Sequence, residues 1–154
     1  MSSHSWSLSR ALLMAILEDR LSDRFVASLV WERLGYLPSE DGAGSWLAGP
    51  ATPAAWREAF PEAPQVIAVR PASVRLTRSI PKESKQLLKQ QLQFGGYRIH
   101  ELYPRRTRRA TAVNWLLAWS VSAGELLQEE GALPPLLDAP ADPVRGHPGD
   151  PPVQ

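Results

Sequence analysis

The run Pro-Arg-Arg-Thr-Arg-Arg at 104–109 constrains this chain more than any other feature. It stands where the sequence reads as the start of a long helix, from near Arg105 to Val121 and at most to Glu130. The N-terminal end of a helix is the positive pole of its macrodipole, so each cation near the first turn is disfavoured by roughly 0.3–1 kcal/mol. Arg105, Arg106, Arg108 and Arg109 therefore require negative partners. Acids of the same chain are one source, with Glu18, Asp19, Glu32, Glu58 and Glu62 as candidates. An external anion is the other: an acidic protein surface, nucleic-acid phosphate or a lipid headgroup. Arginine pairs with carboxylates as a planar fork in either case.

The surrounding charge sharpens the choice. The net charge of +1 conceals a strong segregation. Residues 1–64 carry five basic and eight acidic side chains, residues 65–109 carry eleven and two, and residues 110–154 carry one and six. A basic block between two acidic ends points to an anionic partner, or to acidic ends that fold back on the middle. Zero cysteines exclude disulfides, thiolate metal sites and a cysteine nucleophile. The longest strongly apolar stretch, Ala11 to Leu17, is far below the roughly 20 residues of a membrane span. No secretory signal pattern opens the chain.

Hydrophobic spacing predicts a mostly helical α+β domain over 9–133, with two or three short strands. It follows a leader at 1–8, loose apart from Trp6, and precedes a disordered, Pro-rich tail at 134–154. Ser9 and Ser22 read as N-caps of two helices. Leu12, Leu13, Ile16 and Leu17 form the inner stripe of the first, and Phe25, Val26, Leu29 and Val30 that of the second. Asp23 suits the first turn of the second helix, and Gly35 its end. Residues 37–50 read as loop, and Ala54 to Phe60 as a short helix behind Pro53. Strands are expected at 66–69, 73–80 and 97–102, and a helix from Pro81 to about Leu92.

On the last helix Arg108, Ala112, Trp115 and Trp119 share a stripe. Such aromatics are usually core; the functional alternative is an aromatic groove with a cationic rim. Lys82, Lys85 and Lys89 share another helical face, and Arg70, Arg75, Arg78 and Arg98 extend the basic surface if their segments lie nearby. The 9–35 hairpin is not a DNA-reading helix-turn-helix, because its second helix is apolar on one face and acidic around its cap. His100, beside Glu101, is the one histidine within the expected domain, since His4 and His147 fall in segments expected to be mobile. A lone histidine without cysteine makes no metal set. Gly42-Ala43-Gly44 and Gly95-Gly96 lack the spacing of a phosphate-binding loop.

Four stretches are more specific. They are Leu-Val-Trp-Glu-Arg-Leu-Gly-Tyr at 29–36, Ala-Trp-Arg-Glu-Ala-Phe-Pro at 55–61, Arg-Pro-Ala-Ser-Val-Arg-Leu-Thr-Arg-Ser-Ile-Pro at 70–81, and Pro-Arg-Arg-Thr-Arg-Arg-Ala-Thr-Ala-Val-Asn-Trp-Leu-Leu at 104–117. Together they resemble a small domain of unknown function found in cyanobacteria and in plant plastid proteins, over residues 9–121. The resemblance implies a cyanobacterial, cytoplasmic setting. It brings no activity and no site residue with it, and the segment after Leu133 has no counterpart in it.

The expected function is a non-enzymatic binding or assembly module without cofactor or metal. Its basic segment, 70–109, meets an acidic partner protein through Arg75, Arg78, Lys82, Lys85, Lys89, Arg105, Arg106, Arg108 and Arg109. RNA or DNA binding by the same surface is the alternative, and an enzyme of unrecognised type the third.

Overall fold

The computed structural model describes residues 6–42 and 44–154. Met1 to Ser5, with His4, and Ala43 of the first glycine pair lie outside the described residues.

The two N-caps form as the sequence dictates. The Ser9 hydroxyl accepts from the Leu12 amide at 3.0 Å and opens α1, Arg10–Leu17. The Ser22 hydroxyl accepts from the Phe25 amide at 3.1 Å and opens α2, Asp23–Arg33. Gly35, with φ at +83°, closes α2. The Tyr36 amide donates back to the Trp31 carbonyl and the Gly35 amide to that of Glu32, a Schellman ending.

The loop expected at 37–50 contains the sheet. Strands β1, Leu37–Pro38, and β2, Trp46–Leu47, pair antiparallel, with Leu37 opposite Leu47 and Pro38 opposite Trp46. The strands expected at 66–69, 73–80 and 97–102 do not form. Val66 to Ala68 is a buried turn, Arg70–Ser79 is helix α4, and Ile99–Glu101 is a 3₁₀ turn. Proline accounts for the largest of these differences. Pro71 in the first turn of α4 has a fixed φ suited to a helix start. The buried positions Ala72, Ser73 and Leu76 then follow helical spacing, which overlaps the weak alternation of Val74 and Leu76.

Helix α3, Ala54–Ala59, follows Pro53 as expected. The helix expected from Pro81 splits into a 3₁₀ turn, Lys82–Ser84, and α5, Leu87–Leu92. Buried Asn114 spans the break. Its side-chain amide donates to the Ser84 carbonyl at 3.2 Å, and its oxygen accepts from the Leu88 amide at 3.3 Å. Helix α6, Pro104–Ala123, ends at Gly124 and does not reach Glu130.

Helix α6 is the axis of the domain and packs against α1, α2, α4 and α5. Leu12, Leu13 and Ile16 meet Val26, Leu29, Leu76, Leu116 and Leu117 in a core closed to water. Trp6, at the end of the leader, stacks edge-on against Phe25 with ring centres 5.9 Å apart. Beyond Gly124 the chain has no helix or strand, as its composition requires, but it is not detached. The Arg10 and Ala11 amides, orphan donors of α1, reach the Gln128 and Glu129 carbonyls, and the Leu137 amide donates to the Arg20 carbonyl. His147, in the segment expected to be mobile, is buried. Low apolar content accounts for the missing regular structure; polar anchors fix the segment instead. Among the described residues no helix is long and apolar enough to cross a membrane.

Candidate binding groove

The four arginines of the 104–109 run do not share a surface. Arg105 and Arg109 are wholly buried, which corrects their expected place on an exposed binding face. Arg105 donates from Nη1 and Nη2 to the two oxygens of Asp19, at 2.7 Å each, and from Nε to Asp23 at 2.9 Å. Arg109 donates to the other Asp23 oxygen at 2.7 Å and to the Ile16 and Leu21 carbonyls. Asp19 and Asp23 flank the turn between α1 and α2, and α6 threads its arginines between them. Burial works against charge on Asp19, but the Arg105 hydrogen bonds and the charges of Arg109, Arg105 and His147 outweigh it and lower its pKa. Burial also opposes charge on Arg105, and the two aspartates more than reverse that.

The other two arginines face outward, but both are held. Arg106 lies 3.4 Å from Glu101 and over the rings of Tyr97 and Tyr103. Arg108 donates to the Ile67 carbonyl at 2.8 Å and to that of Gln154 at 2.7 Å. The helix-start charge is thus answered inside the chain. Asp19 was among the expected partners; Asp23 was read only as a helix-dipole residue.

The remaining positive charge lies elsewhere. Helices α4 and α6, with α3 across one end, enclose an open groove of about 850 Å³. Trp56 of α3 and Trp115 and Trp119 of α6 line it, with Val74 and Ala118 between them. Arg70, Arg75 and Arg78 of α4 rim it. Spacings of five and three residues put these arginines on one outward face, opposite buried Ala72, Ser73 and Leu76. Arg75 sits over the Trp56 ring at 5.9 Å. Among the described residues no carboxylate lies within ion-pair distance of any of the three. The Trp115 indole donates to the Ser79 hydroxyl at 3.0 Å, fixing one wall to the other. Arg33 approaches the Trp119 ring to 5.4 Å from the far side.

The stripe of Trp115 and Trp119 is therefore both core and groove wall. Trp115 is mostly buried, while Trp119 is half-exposed. Arg75 and Arg78 lie at this groove as candidate contacts. Arg70 and Trp56 were not singled out as site residues, although Arg-Pro with arginines five and eight positions on is legible as one helical face once 70–79 is read as helix.

The lysines stand apart from the groove. Lys82, Lys85 and Lys89 are exposed, and the Lys85 ammonium donates to the Thr77 carbonyl at 3.4 Å. Lys85 and Lys89 border a smaller hollow of about 290 Å³ beside Phe94 and Tyr97. His100 is exposed on its 3₁₀ turn.

Comparison with known proteins adds no chemistry to this geometry. No functionally curated protein matches the chain. A solved structure, described as the solution NMR structure of a protein, is 50% identical. The match covers 77% of this chain and 98% of that one, with a TM-score of 0.65. A family profile for a domain of unknown function, DUF1823, matches residues 7–121, which hold α1 to α6 almost entirely and every residue of the groove except Ser122. The chain belongs to the DUF1823 family.

Proposed function

We propose that the protein is a non-enzymatic docking module whose α4–α6 groove receives an acidic segment of a partner protein. One observation carries this reading: three arginines without carboxylate partners rim a tryptophan-lined groove. Aromatic walls favour burial of apolar side chains. Arginine forks favour carboxylates placed beside them. Aromatic and arginine residues are also the types that dominate protein–protein binding energy. Phosphate offers arginine a similar target, so RNA or DNA is the competing occupant. A groove walled by tryptophan on one side suits an amphipathic peptide better than a uniformly charged backbone. The resemblance to cyanobacterial and plastid proteins supports a cytoplasmic setting for this partner.

The test is photo-cross-linking from position 74, in the middle of the arginine face, in native lysate. The reading expects cross-links to a protein segment that is net acidic, lost when Arg70, Arg75 and Arg78 are all changed to Glu. Cross-links to nucleic acid, with a log–log salt slope of about −3 for three phosphates, would replace this reading by the competing one. Cross-links unaffected by the triple reversal would remove both.

A further inference from the structure

Away from the groove residues, the α1–α2 turn and the start of α6 are covered by a segment of the same chain. Residues 142–150 fall outside the matched family segment and have no helix or strand. They nevertheless fit the domain as a ligand fits a pocket. His147 to Asp150 is a tight turn. The Asp150 amide donates to the His147 carbonyl at 3.0 Å, Pro148 holds the second position, and Gly149 takes φ of +85° in the third, the pattern of a type II turn. The Asp150 carboxylate closes the turn by accepting from the His147 amide at 3.0 Å.

That carboxylate is also the anchor. It accepts from the Asp23 amide at 3.2 Å and the Arg24 amide at 3.4 Å, at the start of the eleven-residue α2, and lies 3.9 Å from Arg105. Its side chain is fully buried. Helix amides and an arginine together form a carboxylate site. The His147 Nε2 lies 3.0 Å from the Asp19 carbonyl oxygen and 3.2 Å from an Asp19 carboxylate oxygen. Both are acceptors, so this nitrogen carries the proton and donates. The Arg24 guanidinium donates to the Gly149 carbonyl, and Arg105 to that of Pro143.

The fit is close at one further point. Gly146 has φ of +94°, and a Cβ there would stand 2.6 Å from Arg105 Nε, a side chain already pinned by two aspartates. The pocket thus selects a glycine, a buried imidazole donor, a Pro-Gly turn and an aspartate side-chain carboxylate. The receiving residues, Asp19, Asp23, Arg24 and Arg105, all lie in the family segment.

We propose that this pocket is a peptide-recognition site for a Gly-His-Pro-Gly-Asp turn, filled here in cis by residues 146–150 as a tethered ligand that a peptide of the same kind displaces. Tethering gives the internal copy an effective concentration in about the millimolar range. A free peptide therefore competes only when the internal copy is weakened.

Two measurements on the full chain test this. The first is fluorescence anisotropy with a labelled synthetic peptide of residues 138–154. Wild-type protein is expected to bind it weakly, Gly146→Ala protein at least about tenfold more tightly, and the same peptide carrying Asp150→Asn is expected to lose that gain. The second is trypsin cleavage after Arg145, whose side chain is 88% exposed within the docked segment. Asp150→Asn should accelerate cleavage there severalfold while the circular dichroism of the domain is kept. Equal cleavage rates in wild type and Asp150→Asn overturn the docking. Faster cleavage without binding of the labelled peptide to Gly146→Ala protein overturns the exchange.

Discussion

Arg105 grips Asp19 with both terminal nitrogens, 2.7 Å to each carboxylate oxygen, across 86 residues of sequence. Asp23 joins the same cluster by bridging Arg105 and Arg109 through its two oxygens. All four side chains are removed from water. This cluster ties the α1–α2 turn to the start of α6 and offsets the dipole that opposes cations there. Removing one member of a buried ionic set leaves uncompensated charge, at a cost of about 3–5 kcal/mol. Asp23→Ala is therefore expected to lower the unfolding free energy by that amount, read as a lower urea midpoint at an unchanged slope. Glu101→Ala, which breaks the part-exposed pair with Arg106, is expected to cost less than about 1 kcal/mol.

The cluster also sets how the fold responds to acid. Asp19 is held below its usual carboxylate value, the Arg105 hydrogen bonds and neighbouring charges overcoming the effect of burial. The folded state thus takes up a proton at this site less readily than the unfolded chain. The stability it contributes is whole above the unfolded value of about 3.9 and is lost as the pH falls from there through the lower folded value. Thermal melts across pH 6 to 2 should show stability falling in that acidic window. Asp19→Asn should be less stable than wild type at pH 6, with the gap closing towards pH 2.

Gly35 gives a sharper steric test. Its φ of +83° is unfavourable for a side chain, and a Cβ would stand 2.9 Å from the backbone of Ala51 and Thr52. Gly44, at φ +82°, has nothing within 4 Å of the same position. Gly44→Ala should cost about 1 kcal/mol from conformation alone. Gly35→Ala should cost more, because the 51–52 backbone must also move. Differential scanning calorimetry of the two variants separates strain from collision.

The helical frame was legible where a cap and a stripe coincide: Ser9 with Leu12 and Leu13, Ser22 with Val26 and Leu29, Gly35 as a stop. The strands were not. Residues 73–80 carry an alternation too weak to separate from helical spacing, and Pro71 suits a helix start as well as a strand boundary. The true hairpin has two residues per strand, too short for any period to show. For the site, the sequence shows that the arginines at 104–109 need partners but not which ones. Asp23 and Asp150 reach Arg105 only through tertiary packing. The groove was half legible, as tryptophans on α6; its other wall depends on α4 being helical.

The groove gathers arginines that have no carboxylate partner among the described residues, and the exposed lysines of the 82–89 segment serve as its internal control. Charge-assisted hydrogen bonds are worth about 1.5–3 kcal/mol each. The most direct measurement is the dissociation constant of the cross-linked partner segment, made as a peptide, for three full-length proteins: wild type, the Arg70, Arg75 and Arg78 to Glu triple variant, and a Lys82, Lys85 and Lys89 to Glu triple variant. The account predicts a loss of at least about a hundredfold in the arginine variant and less than about tenfold in the lysine variant, whose reversed charges act only at long range and fade with salt. Equal losses in both variants would contradict it, because binding would then follow net charge and not the groove.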